Sequence, residues 1–388
     1  MGDKRATTVV LLSVLLVLAS CFSGLYVVHA NWTFPSPEPA FTINYDGTVY
    51  PSTAPIRRND ETYTLTDNIT GYAVVINRDN VTLDGAGHTL RGLGYANVTR
   101  YMEHLNSGVF VRGVHGVTVR NMRISGFYDG IFVSIYYISN RFAENRFENN
   151  VVSDCYYGIY IGSCLNVLRN NRMENNTRNF SVIDSVQAHP ELPNLYVNDV
   201  DVSNLVDGKP IVYWIGRSGE TVPFNAGYVA LINCSNMIVQ NLALSRNGQG
   251  IELIHAVDCI VKKNNITATD LAVNCFNCSN LLIAENNLEG NLRCVDAYDS
   301  ADINVSSNSM TQGWHGTDFI GSSVNNVAYD NDIKRPQQEG TDALGVSPIL
   351  VTASITVVVA AIVAVAAVVY LKKRKPPSAQ GESLCLLT

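Results

Sequence analysis

The feature of the sequence that most constrains the fold is a repeat of about 22 residues. Similar strings begin at Gly108, Gly130, Gly158, Tyr228, Gly250, Ala272 and Cys294. The last four starts are 22 residues apart. Most repeats open with a strand pattern such as that of residues 250–253, in which the second and fourth residues are apolar. Because side chains alternate across a β-strand, these two point inward and the third points outward.

Each repeat contains a further strand pattern and a recurrent asparagine. The second pattern starts nine residues into the repeat, as at residues 281–283 and 303–305. Asn264, Asn286 and Asn308 then occupy one position of successive repeats. Coils of a parallel β-helix stack about 4.8 Å apart, so identical amides can hydrogen-bond from coil to coil. The repeat therefore predicts an all-β, single-stranded parallel β-helix with about 22-residue coils over residues 60–333.

A segment at about residues 179–225 interrupts the repeat. Its chemically distinctive residues are Phe180, Asp207, Lys209, Tyr213, Trp214, Arg217 and Glu220. Long excursions from a solenoid often carry binding sites, and they also form packed flaps, so both interpretations stay open. Tyr213 and Trp214 are the candidate ligand-binding residues of this insert.

Outward positions of the first strand predict an aromatic surface. Phe110, Phe132 and Tyr160 occupy this position in successive repeats and should stack as an exposed ladder. Nearby turns carry Tyr128, Tyr136, Tyr137, Tyr156 and Tyr157. Exposed rings suit the apolar faces of sugars, so the ladder is a candidate carbohydrate-binding surface. The plainer and favoured alternative is that a later, irregular stretch of chain covers it.

A second outward surface is polar. Glu252, Asn274 and Asp296 align at the third position of their repeats. Two columns lie beside them: His255, Asn277 and Asp299, and Asp258, Asn280 and Asp302. Such a face offers oxygen ligands for Ca²⁺ or hydroxyl groups, but a solvated acidic face is the favoured interpretation.

No catalytic residue is predicted. The remaining polar candidates form no recognisable constellation: Asp129, Asp154, Asp270, Arg246, Lys262, Lys263 and residues 314–318.

The cysteines fall into the columns of the repeat. Cys164, Cys234 and Cys278 share one column, and Cys275 replaces inward aliphatic residues. Buried core thiols are therefore favoured over a disulfide or a metal site. The histidines are scattered. Hence no metal or other cofactor is predicted. Copper and calcium stay open as alternatives, but neither has a ligand cluster.

Three strings resemble a known family. Residues 80–92 (NVTLDGAGHTLRG) look like the first coil of secreted right-handed β-helix proteins, and residues 207–214 and 227–234, followed by Gln249-Gly250-Ile251, are similar to NosD-type β-helix proteins. These proteins are often labelled periplasmic copper-binding and are abundant as membrane-anchored surface proteins of archaea. The resemblance implies a right-handed helix over roughly residues 60–333. It implies little about activity, because one fold carries many functions.

The two ends of the chain predict export and anchoring. Residues 1–30 have the pattern of a signal peptide that is cleaved after Ala30. Lipidation at Cys21 and an uncleaved anchor are the alternatives. Residues 31–59 are predicted to form an N-terminal extension. Residues 348–371 predict a transmembrane helix, with 23 uncharged residues from 349 to 371. Residues 334–347 predict a linker and residues 372–388, which begin with four basic residues, a cytoplasmic tail. The expected protein is a single-pass, type I plasma-membrane protein with an extracellular body.

An extracellular body makes N-glycosylation an expectation. The candidate acceptors within N-x-S/T sequons are Asn68, Asn80, Asn97, Asn175, Asn179, Asn233, Asn265, Asn277 and Asn304.

Composition narrows the functional classes. A net charge of −7 argues against a nucleic-acid partner, and 46 % hydrophobic with only 16 % charged residues excludes a disordered chain. The favoured function is a surface-anchored binding or structural module for polysaccharide of the cell envelope or surroundings. The alternatives are a polysaccharide lyase or glycoside hydrolase, and a NosD-like copper accessory protein.

Overall fold

The computed structural model describes residues 39–95, 106–134, 144–182 and 196–334, and of residues 312–315 only the backbone. The regular structure of these residues consists of β-strands alone, numbered here in chain order. The first twenty are β1 (Ala40–Ile43), β2 (Val49–Tyr50), β3 (Ile56–Asn59), β4 (Thr62–Leu65), β5 (Ile69–Thr70), β6 (Ala73–Ile76), β7 (Thr82–Asp84), β8 (Thr89–Arg91), β9 (Ser107–Arg112), β10 (Thr118–Arg120), β11 (Arg123–Ser125), β12 (Asp129–Ser134), β13 (Arg146–Glu148), β14 (Val151–Ser153), β15 (Tyr157–Gly162), β16 (Val167–Arg169), β17 (Arg172–Glu174), β18 (Arg178–Val182), β19 (Asp199–Val200) and β20 (Leu205–Val206). They are followed by β21 (Lys209–Ile215), β22 (Tyr228–Ile232), β23 (Ile238–Gln240), β24 (Ala243–Ser245), β25 (Gln249–Ile254), β26 (Ile260–Lys262), β27 (Asn265–Thr267), β28 (Leu271–Phe276), β29 (Ser279–Ala284), β30 (Asn287–Tyr298), β31 (Ala301–Ser306), β32 (Ser309–Ile320), β33 (Val327–Tyr329) and β34 (Asp332–Lys334).

Strands β1 to β20 form a first stack of coils with three sheets. The first sheet has the order β18-β15-β12-β9-β6-β1-β2, and the second has the order β19-β16-β13-β10-β7-β4-β3. The third runs β20-β17-β14-β11-β8-β5. Coil neighbours pair in parallel, whereas β2 on β1 and β3 on β4 are antiparallel. The predicted all-β, parallel architecture is confirmed, and β1 to β3 extend it into the predicted N-terminal extension.

Strands β21 to β34 form a second stack. Its first sheet joins β21, β22, β25, β28 and the second half of β30. Its second sheet has the order β23-β26-β29-β31-β33. The third joins β24, β27, the first halves of β30 and β32, and β34. Strands β30 and β32 pass from the third sheet into the first without a break, with register shifts between Leu288 and Arg293.

Inward side chains form columns that fill both stacks. In the first stack, Ile131 pairs with Val109 on one side and Ile159 on the other, and all three are fully buried. Each such aliphatic side chain contributes about 1.5–3 kcal/mol relative to an exposed position. The columns therefore account for the alternating pattern from which the fold was predicted.

Asparagine ladders close the corners of the coils. The side-chain oxygen of Asn286 accepts hydrogen bonds from the backbone N–H and the side-chain amide of Asn264, both at 3.0 Å. Asn286 donates in the same way to Asn308 at 2.9 Å, and Asn308 to Asn331 at 2.9 and 3.0 Å. The predicted ladder is confirmed and extends one coil further. A matching ladder in the first stack runs through Asn150, Asn171 and Asn204.

The seven cysteines of the described residues are buried, and they form no disulfide with one another. Burial raises the pKa of Cys155 to about 12 and that of Cys259 to about 11, because an apolar surrounding disfavours the thiolate. All seven are core residues, as predicted, and thiolate reactivity is suppressed in Cys155 and Cys259.

The predicted insert contains the junction between the stacks. Within residues 179–225, β18, β19 and β20 complete the last coil of the first stack. The turn at Asp207-Gly208 then leads into β21, which pairs antiparallel with β20 and parallel with β22. The interruption of the repeat thus marks the change from one stack to the next.

Strand β22 is buried on both faces, because it closes the end of the first core. Tyr228, Ala230 and Ile232 belong to the hydrophobic core of the first stack, whereas Val229 and Leu231 belong to that of the second. Phe180 of the last first-stack coil meets Tyr228 edge to face, with ring centroids 5.0 Å apart. The two stacks therefore share an apolar boundary.

Several predicted segments lie outside the described residues: the signal peptide, the first part of the N-terminal extension, nearly all of the linker, the transmembrane helix and the tail. Within the described ranges, no helix has the length and apolar character needed to cross a bilayer.

Candidate functional site

The predicted aromatic ladder forms on the outer face of the first sheet. Phe132 lies in register between Phe110 and Tyr160 on neighbouring strands. Its ring centroid is 5.2 Å from that of Phe110 and 5.5 Å from that of Tyr160. The ladder is partly covered, as the alternative interpretation expected: Phe132 is only 8 % exposed, while Phe110 and Tyr160 are half-buried.

Four tyrosines continue this surface around the corner between the third and first sheets. We call Tyr95, Tyr128, Tyr156 and Tyr157 the aromatic corner. Tyr128 and Tyr156 stack with centroids 4.7 Å apart, and Tyr95 lies edge-on to both at 6.5 and 6.0 Å. Tyr157 contacts Tyr160 of the ladder at 5.2 Å. Corner and ladder together form one path of aromatic rings.

Polar contacts across the junction hold the aromatic corner in place. Asp270, from the turn before β28, accepts hydrogen bonds from the Tyr157 hydroxyl and from Nε of Arg178, both at 2.7 Å. Arg178 also lies over the Tyr156 ring, 6.0 Å from its centroid. Burial, followed by the Asp270 charge, raises the pKa of Tyr157 far above its usual value, so this phenol stays protonated and donates. Asp270 therefore positions rings rather than standing as a lone acid.

A surface groove of about 740 Å³ lies on the outer face of the third sheet. Its lining residues are Thr70, Thr89, Arg91, Gly92, Leu93, Gly94, Ser125, Gly126 and Asp154. Gly92 must be glycine, because a Cβ there would lie 2.4 Å from the carbonyl oxygen of Gly126. The turns after Gly92 and Gly126 lead within three residues to Tyr95 and Tyr128, so the groove adjoins the aromatic corner.

Tyr213 and Trp214 do not share a site, because they lie on opposite faces of β21. Tyr213 is buried in the first core, and its hydroxyl donates to the backbone carbonyl of Tyr196. Trp214 packs against the second core, with the Arg217 guanidinium 4.5 Å from its ring centroid. Both side chains contribute to closing the facing ends of the two cores.

The acidic column on the first sheet of the second stack is buried, so the expectation of a solvated face is wrong. Glu252, Asn274 and Asp296 are each at most 1 % exposed. The Asn274 amide donates to Glu252 at 2.8 Å, and Arg293 pairs with Asp296 at 2.6 Å. The column continues to the half-buried Asp318, which is in register with Asp296. Outward orientation was predicted correctly, but strands β25 and β28 are covered on both faces.

The two neighbouring polar columns lie at turns and stay accessible. Asn277 contacts His255 at 2.8 Å, and Asn280 donates to Asp258 at 2.6 Å. Partial burial lowers the pKa of His255, so this imidazole is neutral at pH 7. No group of three or more His, Cys, Asp or Glu residues with metal-binding geometry occurs in the part of the chain that the structure describes.

Comparison with protein families agrees with the coil geometry. A family model for the right-handed β-helix region matches residues 58–192 and 210–346. The chain belongs to the right-handed β-helix family. The gap between the two matched segments coincides with the junction of the stacks, so the helix is identified on both sides of it. No curated relative matches the chain.

Solved structures with a likeness to this β-helix protein include enzymes that act on carbohydrates. An alginate lyase from Paenibacillus sp. str. FPU-7 is 11 % identical with a TM-score of 0.28, and the match covers 70 % of this chain and 99 % of that one. The A-module of a mannuronan C-5 epimerase from Azotobacter vinelandii is 12 % identical with a TM-score of 0.26, over 71 % and 86 %. A lacto-N-biosidase from Eubacterium ramulus is 13 % identical with a TM-score of 0.27, over 69 % and 59 %. Scores this low identify no activity for the β-helix protein.

The candidate glycosylation sites differ in accessibility. Asn68, Asn80, Asn175, Asn233, Asn265 and Asn277 are exposed, and Asn304 is half-buried. Asn179 is fully buried, and its amide donates to Asp207 at 2.6 Å, so a glycan does not fit there. Asn97 lies outside the described residues.

Two parts of the site were not found from the sequence. Tyr95 lies outside the aligned repeats, and no periodicity marks it as a partner of Tyr128. The groove combines residues of successive coils, among them Thr70, Arg91 and Ser125, which meet only when β5, β8 and β11 pair. Their outward position next to the apolar Ile69, Leu90 and Ile124 is the signal from which the surface could have been predicted.

Proposed function

We propose that this β-helix protein is a polysaccharide-binding module that is anchored to the plasma membrane with its body outside the cell. The observation that carries the proposal is the continuous path of aromatic rings from Phe110 to Tyr95, which ends beside the groove. Membrane anchoring rests on the predicted helix at residues 348–371.

The chemistry of this surface suits a sugar polymer. Half-buried rings offer flat apolar area to the C–H faces of pyranoses at little cost in side-chain entropy, because packing already fixes the rings. The adjoining groove adds the hydroxyls of Thr70, Thr89 and Ser125, the guanidinium of Arg91 and the carboxylate of Asp154. These are the donors and acceptors that hydroxyl groups of a sugar need. A rigid solenoid presents them along a line, as a chain-like ligand requires.

The test is binding of the full chain to a glycan array, followed by titration of the best polymer. Phe110→Ala and Tyr160→Ala should each weaken binding roughly tenfold, since each loses a ring contact worth about 1.4 kcal/mol. Tyr45→Ala is the matched control, because Tyr45 is 76 % exposed and lies outside the surface. Equal affinities of wild type and both ladder variants would remove the proposal.

A second candidate function is hydrolysis of a glycosidic bond at the acidic column. Asp296 is buried beside Arg293, whereas Asp318 on the adjacent strand is half-buried. The two side chains leave adjacent strands about 4.8 Å apart and in register, so their carboxyl groups can take up the separation of about 5–5.5 Å that retaining glycosidases use. Two carboxylates in different environments suit an acid and a nucleophile.

Release of reducing ends from polysaccharides tests this second candidate. Asp318→Asn should abolish release while binding to the aromatic surface is retained. If the wild type releases no reducing ends from any polymer that it binds, the hydrolase candidate is excluded and only the binding function is retained.

A further inference from the structure

The outer face of the third sheet of the first stack carries three exposed arginines. Arg123 on β11 and Arg172 on β17 occupy one column, with Val151 of β14 between them. Two strand spacings separate them, which is about 9.6 Å. Arg91 on β8 is a diagonal neighbour of Arg123, because Arg91 is in register with Ser125. We call Arg91, Arg123 and Arg172 the arginine face.

None of these three guanidiniums has a hydrogen-bond or ion-pair partner among the described residues. The second sheet of the same stack differs, although its outward arginines are presented in the same way. There Arg120 pairs with Asp84 at 2.8 Å and Arg146 with Glu148 at 2.7 Å. The chain as a whole has a formal net charge of −7, so carboxylates are not scarce. No carboxylate of the described residues pairs with the arginine face, so the three guanidiniums can take an anionic ligand.

The groove adjoins this charge, since Arg91 is one of its lining residues. Two carboxylates lie at the limits of the face, Asp154 in the turn after β14 and Glu174 at the end of β17. Asp154 accepts hydrogen bonds from the amide of Asn175 at 2.5 Å and from the hydroxyl of Ser153 at 3.0 Å. An anionic ligand would be attracted to the arginines and repelled at the Asp154 end.

We propose that the arginine face binds the carboxylate or sulfate groups of an anionic polysaccharide whose sugar rings lie on the aromatic corner. The inference rests on the proposed function and narrows it to one substrate class. Guanidinium groups recognise carboxylate and sulfate oxygens through two parallel N–H donors. The three arginines are spread over four successive coils of a rigid stack, which matches a ligand with repeated charges.

Binding of the full chain to a polyuronate, a sulfated glycan and a neutral glucan tests the proposal. The double variant Arg91→Ala/Arg123→Ala should lose on the order of tenfold or more in affinity for the two anionic polymers. Raising the ionic strength to about 1 M should weaken wild-type binding, because the screening length falls to about 3 Å. Arg146→Ala is the matched control, as an exposed arginine on the neighbouring sheet, and should bind like wild type.

Asp154→Asn is a variant with the opposite expected sign. Asp154 has a positive φ of 54°, which asparagine tolerates as well as aspartate does, so the turn is preserved. Removing its charge should tighten binding of the anionic polymers about two- to threefold, because a repulsion at the groove is lost. A variant that merely damaged the fold would not gain affinity.

The outcomes separate the inference from the proposed function. Preference for the neutral glucan, or equal binding of the double arginine variant, overturns the arginine face while the aromatic surface stands. If the arginine variants lose binding but Phe110→Ala and Tyr160→Ala bind like wild type, the aromatic surface is overturned instead. Equal binding to anionic lipid vesicles shows unspecific charge attraction and overturns the polysaccharide class. Absence of binding to any polymer removes both.

Discussion

The two stacks of coils are built alike inside and differently outside. Both have aliphatic inward columns and asparagine ladders with hydrogen bonds of 2.8 to 3.1 Å. On the outer face of the first sheet, however, the first stack carries Phe110, Phe132 and Tyr160, whereas the second carries Glu252, Asn274 and Asp296. The inward columns therefore specify the coil, and the outward columns are free to differ in chemistry.

Among the substitutions considered, breaking the contact between the stacks should reduce the free energy of unfolding most. Arg178→Met leaves Asp270 without its guanidinium in a site where the two side chains are 9 % and 15 % exposed. Breaking a buried pair on one side costs about 3 kcal/mol or more in the free energy of unfolding. Urea unfolding measures this loss, and Arg146→Met at an exposed pair should lose less than about 1 kcal/mol.

The same experiment shows how strongly the stacks are coupled. Because Tyr228 and Ala230 of the second stack belong to the first core, a single unfolding transition is expected in the wild type. Two separate transitions in the wild type would contradict the shared boundary and would make the stacks independent units.

Matched substitutions in the two ladders should have effects of similar size. Asn286→Ala leaves the carbonyl of Val261 and the amide of Asn264 without their side-chain partner. Asn171→Ala does the same to Phe147 and Asn150 in the first stack. Each variant should lose about 3 kcal/mol, since buried unsatisfied groups cost about 1–3 kcal/mol each. A difference of more than about 2 kcal/mol between these two variants in urea unfolding would break the likeness of the interiors.

The effect that is smallest at neutral pH, and that grows only at alkaline pH, concerns the buried thiols. Above pH 9 the thiol of Cys155 ionises in the unfolded chain, whereas in the folded chain its pKa is about 12. The folded state then binds more protons, so stability falls as pH rises from 9 to about 12, by about 1.4 kcal/mol per pH unit for this group. Cys155→Ala should flatten that slope by this amount in urea unfolding at several pH values.

Cys259→Ala is the counterpart in the second stack. Its thiol has a pKa of about 11, so its contribution to the slope should end about one pH unit earlier. An unchanged slope in either variant would show that the corresponding thiol is not protected by its stack.

The periodic parts of the fold could be predicted because equivalent positions of successive repeats lie in the same structural environment. Ile283 and Val305 mark an inward column, and Asn286 and Asn308 mark a corner, whichever coil is considered. The stack junction at residues 179–225 could not be predicted, because β18, β19 and β20 complete a coil with spacings that differ from the repeat. This segment joins the two stacks because Tyr228 packs into the core of the first stack. That contact is between residues far apart in the sequence.

For outward residues, the orientation of the side chain could be predicted from the sequence, but its exposure to solvent could not. Alternation along a strand places Phe132 and Glu252 on the outer face, and the structure agrees. Whether an outer residue meets solvent depends on what packs over it, and both of these side chains are buried. The lack of a described carboxylate partner for Arg91, Arg123 and Arg172 likewise depends on which residues the neighbouring coils place beside them.

The sequence by itself determined the coil: its length, its inward columns, its corner amides and the parallel stacking that they require. Those properties are local and repeated, so alternation and spacing are sufficient to predict them. Only the tertiary structure decided where the two stacks meet, which outer faces are covered and which rings, arginines and hydroxyls share a surface. Those properties arise from contacts between residues far apart in the chain, whose energies no local pattern encodes.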